Sequence, residues 1–215
     1  MIKVSPSILS VDILKLEEEV RSLDLSGADY IHIDIMDGHY VPNITFGPSI
    51  VKSIRKITSK ILDVHLMIKP VKQYIKEFID AGSDIITFHP EADDNVEEII
   101  KIISDAKIKV GIAIHPKVNI SDIDYLFNQV QQIIVMTVTP GFGGQKFMHD
   151  QVQKIRDLYQ IRKKNNYNYE IAVDGGVNNE NAKICKDNGA NVLAVGSYLL
   201  SQNQDKYHKI INSLR

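Results

Sequence analysis

The sequence has no tryptophan, one cysteine, no excess of either charge and no long hydrophobic run. With Cys185 alone, no intrachain disulfide can form, and a reducing compartment is expected. The longest apolar stretch, near Ala190–Leu200, falls far short of the ~20 residues a membrane span needs. Met1–Ser10 carries one lysine and a proline and lacks the pattern of a signal peptide, so a cytoplasmic location is expected. Lys+Arg number 25 against 27 Asp+Glu, and this balance argues against nucleic acid or an anionic membrane as partner. No linker or low-complexity tract divides the chain, so residues 1–215 read as one domain. Its 44% hydrophobic and 24% charged residues suit a soluble globular protein. A chain of this length can bury roughly 70% of its unfolded surface and needs no covalent staple.

What the sequence does contain is a recurring phrase. Ser26-Gly27-Ala28-Asp29 precedes Tyr30–Asp34, Ala81-Gly82-Ser83-Asp84 precedes Ile85–His89, and Asn188-Gly189-Ala190-Asn191 precedes Val192–Gly196. Each reads as the end of a helix, a glycine cap and a strand. Candidate strands are Val4–Leu9, Tyr30–Ile35, Ile61–Met67, Ile85–His89, Lys109–Ile114, Gln132–Val138, Tyr169–Asp174 and Val192–Gly196. Amphipathic segments lie between them, clearest at Ile13–Leu25, Val71–Ala81, Val96–Ala106 and Val152–Lys164, and Ile13, Leu16, Val20 and Leu23 are expected to form one apolar stripe. Strands alternating with helices predict an all-parallel sheet, because parallel neighbours need crossovers. Closing eight such units gives an α/β fold, a single (β/α)8 TIM barrel. A doubly wound open sheet is disfavoured, since no Gly-x-Gly-x-x-Gly turn follows the first strand.

Such barrels carry their chemistry at the C-terminal ends of the strands. Side chains alternate along a strand, so Ile31, Ile33 and Ile35 face the helices while His32, Asp34 and Met36 point inward. The same alternation puts Asp63, His65 and Met67 on one face, and Asp174 ends the seventh strand before Gly175-Gly176. Two imidazoles and two carboxylates converging on one mouth suit a divalent transition metal, and burying such carboxylates without a cation or partner is costly. Met36, Met67 and Met136 also fall at strand ends, where they would form a polarizable site wall or fill core space. His89, His115, His39, His149 and His208 read as structural or surface residues. Pro140-Gly141-Phe142-Gly143-Gly144, Asp174-Gly175-Gly176 and Gly196-Ser197 place glycine-rich turns on three late loops, where backbone amides can approach a phosphate.

The motifs Pro6–Ser10, His32–His39, Val41–Gly47, Asp63–Met67, Met136–Phe147, Val173–Val177 and Gly196-Ser197 resemble those of the ribulose-phosphate 3-epimerase family from the first strand to the last. The resemblance implies that His32, Asp34, His65 and Asp174 bind one divalent metal ion, with Asp34 as general base and Asp174 as general acid. It implies that Ser7 and His65 contact the substrate, and that Gly141, Phe142, Gly143, Gly144, Gly175, Gly176, Gly196 and Ser197 hold its phosphate end. The implied activity interconverts D-ribulose 5-phosphate and D-xylulose 5-phosphate in the pentose phosphate pathway, and the implied assembly is a homo-oligomer. Mixed His and carboxylate ligands suit Zn, Fe(II), Co or Mn. Inverting a carbon beside a ketone requires removing its proton and returning one to the opposite face, which two carboxylates can do. Val11 stands where alanine is usual in the family, and His115 where asparagine or lysine is usual. An epimerase of a six-carbon ketose phosphate is the nearest alternative. A phosphate-barrel lyase is a further one, but it wants an Asp-x-Lys-x-x-Asp motif that this chain lacks.

Overall fold

The computed structural model describes residues 2–215. Strands β1 (Lys3–Pro6), β2 (Tyr30–Met36), β3 (Ile61–Met67), β4 (Ile85–Phe88), β5 (Lys109–Ile114), β6 (Gln132–Met136), β7 (Glu170–Asp174) and β8 (Val192–Val195) are the staves of a barrel. Seven parallel ladders join them in the order β1-β8-β7-β6-β5-β4-β3-β2. The remaining seam, between β1 and β2, is held by one parallel bridge between Ser7 and His32, so the (β/α)8 barrel is nearly closed. That bridge also sets Ser7 beside the inward residues of β2.

The outer layer consists of α1 (Leu16–Leu25), α2 (Pro48–Arg55), α3 (Ile75–Asp80), α4 (Val96–Asp105), α5 (Val152–Asn165), α6 (Asn179–Asp187), α7 (Ser197–Leu200) and α8 (Tyr207–Ser213). Strict strand–helix alternation fails once. Two single 3-10 turns, Ile120–Asp122 and Asp124–Leu126, join β5 to β6 in place of a helix. Pro116, Asn119, Asp122 and Asp124 favour turns there, and Asp122 Oδ2 accepts from the Asn119 amide at 3.1 Å. Ile123, Leu126 and Phe127 still cover the sheet. The expected stripe on α1 also loses a member. Leu16, Val20 and Leu23 are buried, but Ile13 is 51% exposed because a 3-10 turn at Ile13–Lys15 precedes the helix and shifts the period. In all three repeated phrases the glycine takes the left-handed conformation, at φ +88° for Gly27, +96° for Gly82 and +108° for Gly189.

Alternation along the strands separates two cores. Ile31, Ile33 and Ile35 of β2, with Leu62, Val64 and Leu66 of β3, pack under the helices. Tyr30, Ile85, Ala113, Ile134, Met136, Ala172 and Val192 fill the barrel. At its N-terminal end Lys3 donates to Tyr30 Oη at 2.8 Å, Tyr30 donates to Glu170 at 2.9 Å, and Lys3 pairs with Glu170. This caps the interior with satisfied polar groups and leaves the other end for chemistry. Cys185 is fully buried in α6, and burial pushes its thiol up to about 12. Among the described residues no helix is long and apolar enough to cross a membrane.

Inside the barrel Gly111 of β5 sits opposite Thr87 of β4, and a Cβ there would lie 2.9 Å from Thr87 Cβ and 3.2 Å from its Cα. Rotating the threonine cannot relieve contacts to those atoms. Gly111→Ala is therefore expected to cost roughly 1–3 kcal/mol, the usual penalty of overpacking. Urea titration followed by circular dichroism would read this as a lower midpoint, and an unchanged midpoint would show that the two strands simply move apart.

Candidate active site

The β2–β3 register pairs His32 with Asp63 and Asp34 with His65, so one turn of alternation stacks two polar layers inside the barrel. In the upper layer, atoms of His32, Asp34, His65 and Asp174 all lie within 4.8 Å of one another. Asp34 Oδ1 is 3.3 Å from both His32 Nε2 and His65 Nδ1. Asp174 Oδ2, arriving from β7, is 3.9 Å and 3.7 Å from the same two nitrogens. Ser7 Oγ donates to Asp34 Oδ2 at 2.6 Å, a contact that follows from the Ser7–His32 bridge.

His32 Nε2 is buried without a hydrogen-bond partner among the described residues, although two carboxylates stand near it. Tetrahedral Zn²⁺ ligands at their usual bond lengths are about 3.4 Å apart. The donor set, its spacing and the unpartnered nitrogen thus fit a divalent cation held by these four side chains. Below them Asp63 fixes the imidazole of His32. Its Oδ2 is 2.9 Å from His32 Nδ1, and its Oδ1 accepts from Gln132 Nε2 at 2.8 Å. His32 therefore turns Nε2 toward the cluster, the orientation a metal ligand needs.

Without a cation the charges in this layer are opposed. Burial alone would lower His32, but the Asp34 and Asp63 carboxylates raise it well above the ordinary histidine value. Burial alone would raise Asp34, yet His32 and His65 hold it well below the usual carboxylate range. Asp174 is pushed up to about 6, first by burial and then by the like charge of Asp34. Burial lowers both His65 and His89.

Above the cluster opens a cleft bordered by Asp34 and Asp174. Met36, Met67 and Met136 line it while remaining almost wholly buried, so they serve as core and as wall together. Ser7, Gly141, Phe142, Gly143, Gly144, Gly175, Gly176, Gly196 and Ser197 border the same cavity, with Phe142 55% exposed at its rim. The Gly176 turn requires glycine. Its φ is +65°, and a Cβ would lie 2.7 Å from the Phe147 amide nitrogen and 2.8 Å from the Gln145 carbonyl oxygen. Asn181 Nδ2 donates to the Gly176 carbonyl at 2.9 Å and Thr137 Oγ1 to that of Gly175 at 2.6 Å, which fixes the turn. Gln145 Nε2 does the same for the β6 loop, donating to the Thr139 and Phe142 carbonyls at 2.7 and 2.9 Å.

Three further residues shape the site without a functional signal in the sequence. Asp63 lies on the inner face by alternation alone. Gln132, its partner, carries no motif. His89, read as structural or surface, is fully buried with its Nε2 3.0 Å from His65 Nε2. Continued alternation from Ile85 through Thr87 would have turned His89 inward. His115 lies partly exposed on a neighbouring groove with Tyr40 and Glu91, and the His39 side chain is 76% exposed.

Fold and pocket together define a (β/α)8-barrel enzyme with a His/Asp cluster at the C-terminal mouth of the barrel. Residues 3–200 match the ribulose-phosphate 3 epimerase family. Over 216 residues the chain is 43% identical to ribulose-phosphate 3-epimerase of Bacillus subtilis (strain 168), covering 100% of this chain and 99% of that protein. It is 39% identical to ribulose-phosphate 3-epimerase of Escherichia coli (strain K12) over 214 residues, 99% of this chain and 94% of that one. Among solved structures, 3-keto-L-gulonate-6-phosphate decarboxylase from Vibrio cholerae superposes with a TM-score of 0.75 at 15% identity, covering 100% of this chain and 95% of that one, a likeness of fold alone. The chain belongs to the ribulose-phosphate 3 epimerase family and is an isomerase of the epimerase class.

Proposed function

We propose that the chain inverts C3 of D-ribulose 5-phosphate to give D-xylulose 5-phosphate, with Asp34 and Asp174 as the two proton carriers. The observation that carries this reading is the placement of both carboxylates, from β2 and β7, on one cavity. Asp34 takes the C3 proton, and the C3–H electron pair moves into the adjoining carbonyl to form an enediolate. Asp174, entering protonated, returns a proton to C3 from the opposite face as the electron pair returns.

Ser7 donates to Asp34 Oδ2 and so fixes the carboxylate with Oδ1 between His32 and His65. His32, Asp34, His65 and Asp174 would hold a divalent cation (Zn, Fe(II), Co or Mn), which supplies Lewis-acid stabilisation of enediolate charge. Met36, Met67 and Met136 exclude water around the reacting carbon. The amides of the turns at Gly141–Gly144, Gly175-Gly176 and Gly196-Ser197 hold the phosphate. Binding energy at that remote end fixes orientation at C3. A phosphate-barrel lyase is disfavoured, since β3 carries His65 where the Asp-x-Lys-x-x-Asp motif wants lysine.

Side-by-side turnover of D-ribulose 5-phosphate and a six-carbon ketose phosphate tests the substrate. The five-carbon sugar is expected to give the larger kcat/KM, and a preference for the longer one would overturn the assignment.

A further inference from the structure

Behind His65, on the side away from the cavity, stands a second group of buried polar side chains. His65 Nδ1 faces the four-donor cluster, 3.3 Å from Asp34 Oδ1, and its Nε2 lies 3.0 Å from His89 Nε2. Both imidazoles are fully buried and their rings stack at 5.1 Å. Two facing ring nitrogens at that distance hold one proton between them, so one is the donor and the other presents a lone pair. On the far side of His89, its Nδ1 is buried without a hydrogen-bond partner among the described residues, and Glu91 Oε1 stands 3.4 Å from it. Tyr40 Oη donates to the same Glu91 oxygen at 2.8 Å, and the Tyr40 ring lies 4.7 Å from that of His89.

We propose that His89 and Glu91 are positioning residues that hold His65 as a metal ligand, His89 Nε2 accepting from His65 Nε2–H when Nδ1 binds a cation. Asp34 Oδ1 stands 3.3 Å from His65 Nδ1, so His65 donates there until a cation takes the Nδ1 lone pair. His65 must then carry its proton on Nε2 and donate it to His89 Nε2, 3.0 Å away. That leaves the His89 proton on Nδ1, where Glu91 Oε1 stands to receive it. Asp63 performs the matching task for His32, so each imidazole of the cluster has its own orienting device. This inference rests on the metal reading proposed above.

Competition of zinc between the full-length chain and a chromogenic chelator tests it. Glu91→Met and His89→Leu are each expected to weaken zinc binding roughly 10- to 100-fold, the usual cost of losing such a partner. His89→Gln offers an amide oxygen to His65 Nε2 and should recover most of that loss. Unchanged affinity in the first two variants overturns the proposal. Nitrogen-15 NMR of the histidine rings in the zinc-loaded chain supplies a readout that fold damage alone would not move. His65 is expected as the Nε2–H form and His89 as the Nδ1–H form, and an Nε2–H His89 in the loaded chain overturns the proposal outright. Failure of the unsubstituted chain to bind zinc would overturn the metal reading itself, whereas zinc binding indifferent to both substitutions would overturn only the roles of His89 and Glu91.

Discussion

Asp34→Asn and Asp174→Asn are each expected to lower kcat/KM for D-ribulose 5-phosphate by roughly 100- to 10,000-fold, the range that a positioned acid or base contributes. Both substitutions keep side-chain shape and one of the two accepting oxygens, so thermal unfolding followed by circular dichroism should show an intact barrel. The two losses should differ in kind. With Asp34 intact, Asp174→Asn still has a base for the C3 proton of the ribulose epimer, and C3 should exchange with deuterium from solvent without inversion. With Asp34 replaced, that exchange should vanish too. Since both residues also belong to the proposed metal set, elemental analysis of each variant must accompany the kinetics. Near-normal turnover in either variant, or exchange in Asp34→Asn only, would sink the assignment of base and acid.

Much of this site could be read from the chain because its information is local. A strand repeats every two residues, so apolar Ile31, Ile33 and Ile35 fix the face on which His32 and Asp34 must lie. The same holds for Leu62, Val64 and Leu66 around Asp63 and His65. Turns announce themselves through glycine, as at Gly175-Gly176, because few other residues adopt their backbone angles. The orienting groups are a different matter. His89 matters only because β3 pairs with β4 in the register that sets His65 opposite Thr87, and Glu91 only because a 3-10 turn at Pro90–Ala92 folds it back. Alternation turns His89 inward, but its meeting with His65 is a long-range pairing with no local signature. Asp63 finds its partner Gln132 across the barrel in the same way. The missing helix between β5 and β6 was hidden for the opposite reason. The fold sets an expectation there, and local turn residues override it.

Removing the metal is expected to abolish turnover and to lower the melting temperature, and adding back a single divalent cation should restore both. At a free metal concentration about 100 times Kd, binding contributes about 2.7 kcal/mol, which corresponds to roughly 5–10 °C for a chain of this size. The shift should depend on pH with a definite sign. Metal-free Asp174, pushed up to about 6, keeps a proton in the fold that the unfolded chain has already lost. Its contribution to metal-free stability is therefore present below the ordinary carboxylate pKa and is lost as pH rises through about 6. A bound cation reverses that cost by favouring the ionised carboxylate. His32, raised well above its ordinary value by its two carboxylate neighbours, must also release a proton before its Nε2 can serve as a ligand. Both effects make metal stabilisation larger at pH 7.5 than at pH 5. Melting curves of loaded and stripped protein at the two pH values measure the difference directly. A chain proved metal-free by elemental analysis yet fully active would refute the role of the cation, and a melting-temperature gap equal at both pH values would refute the proton linkage.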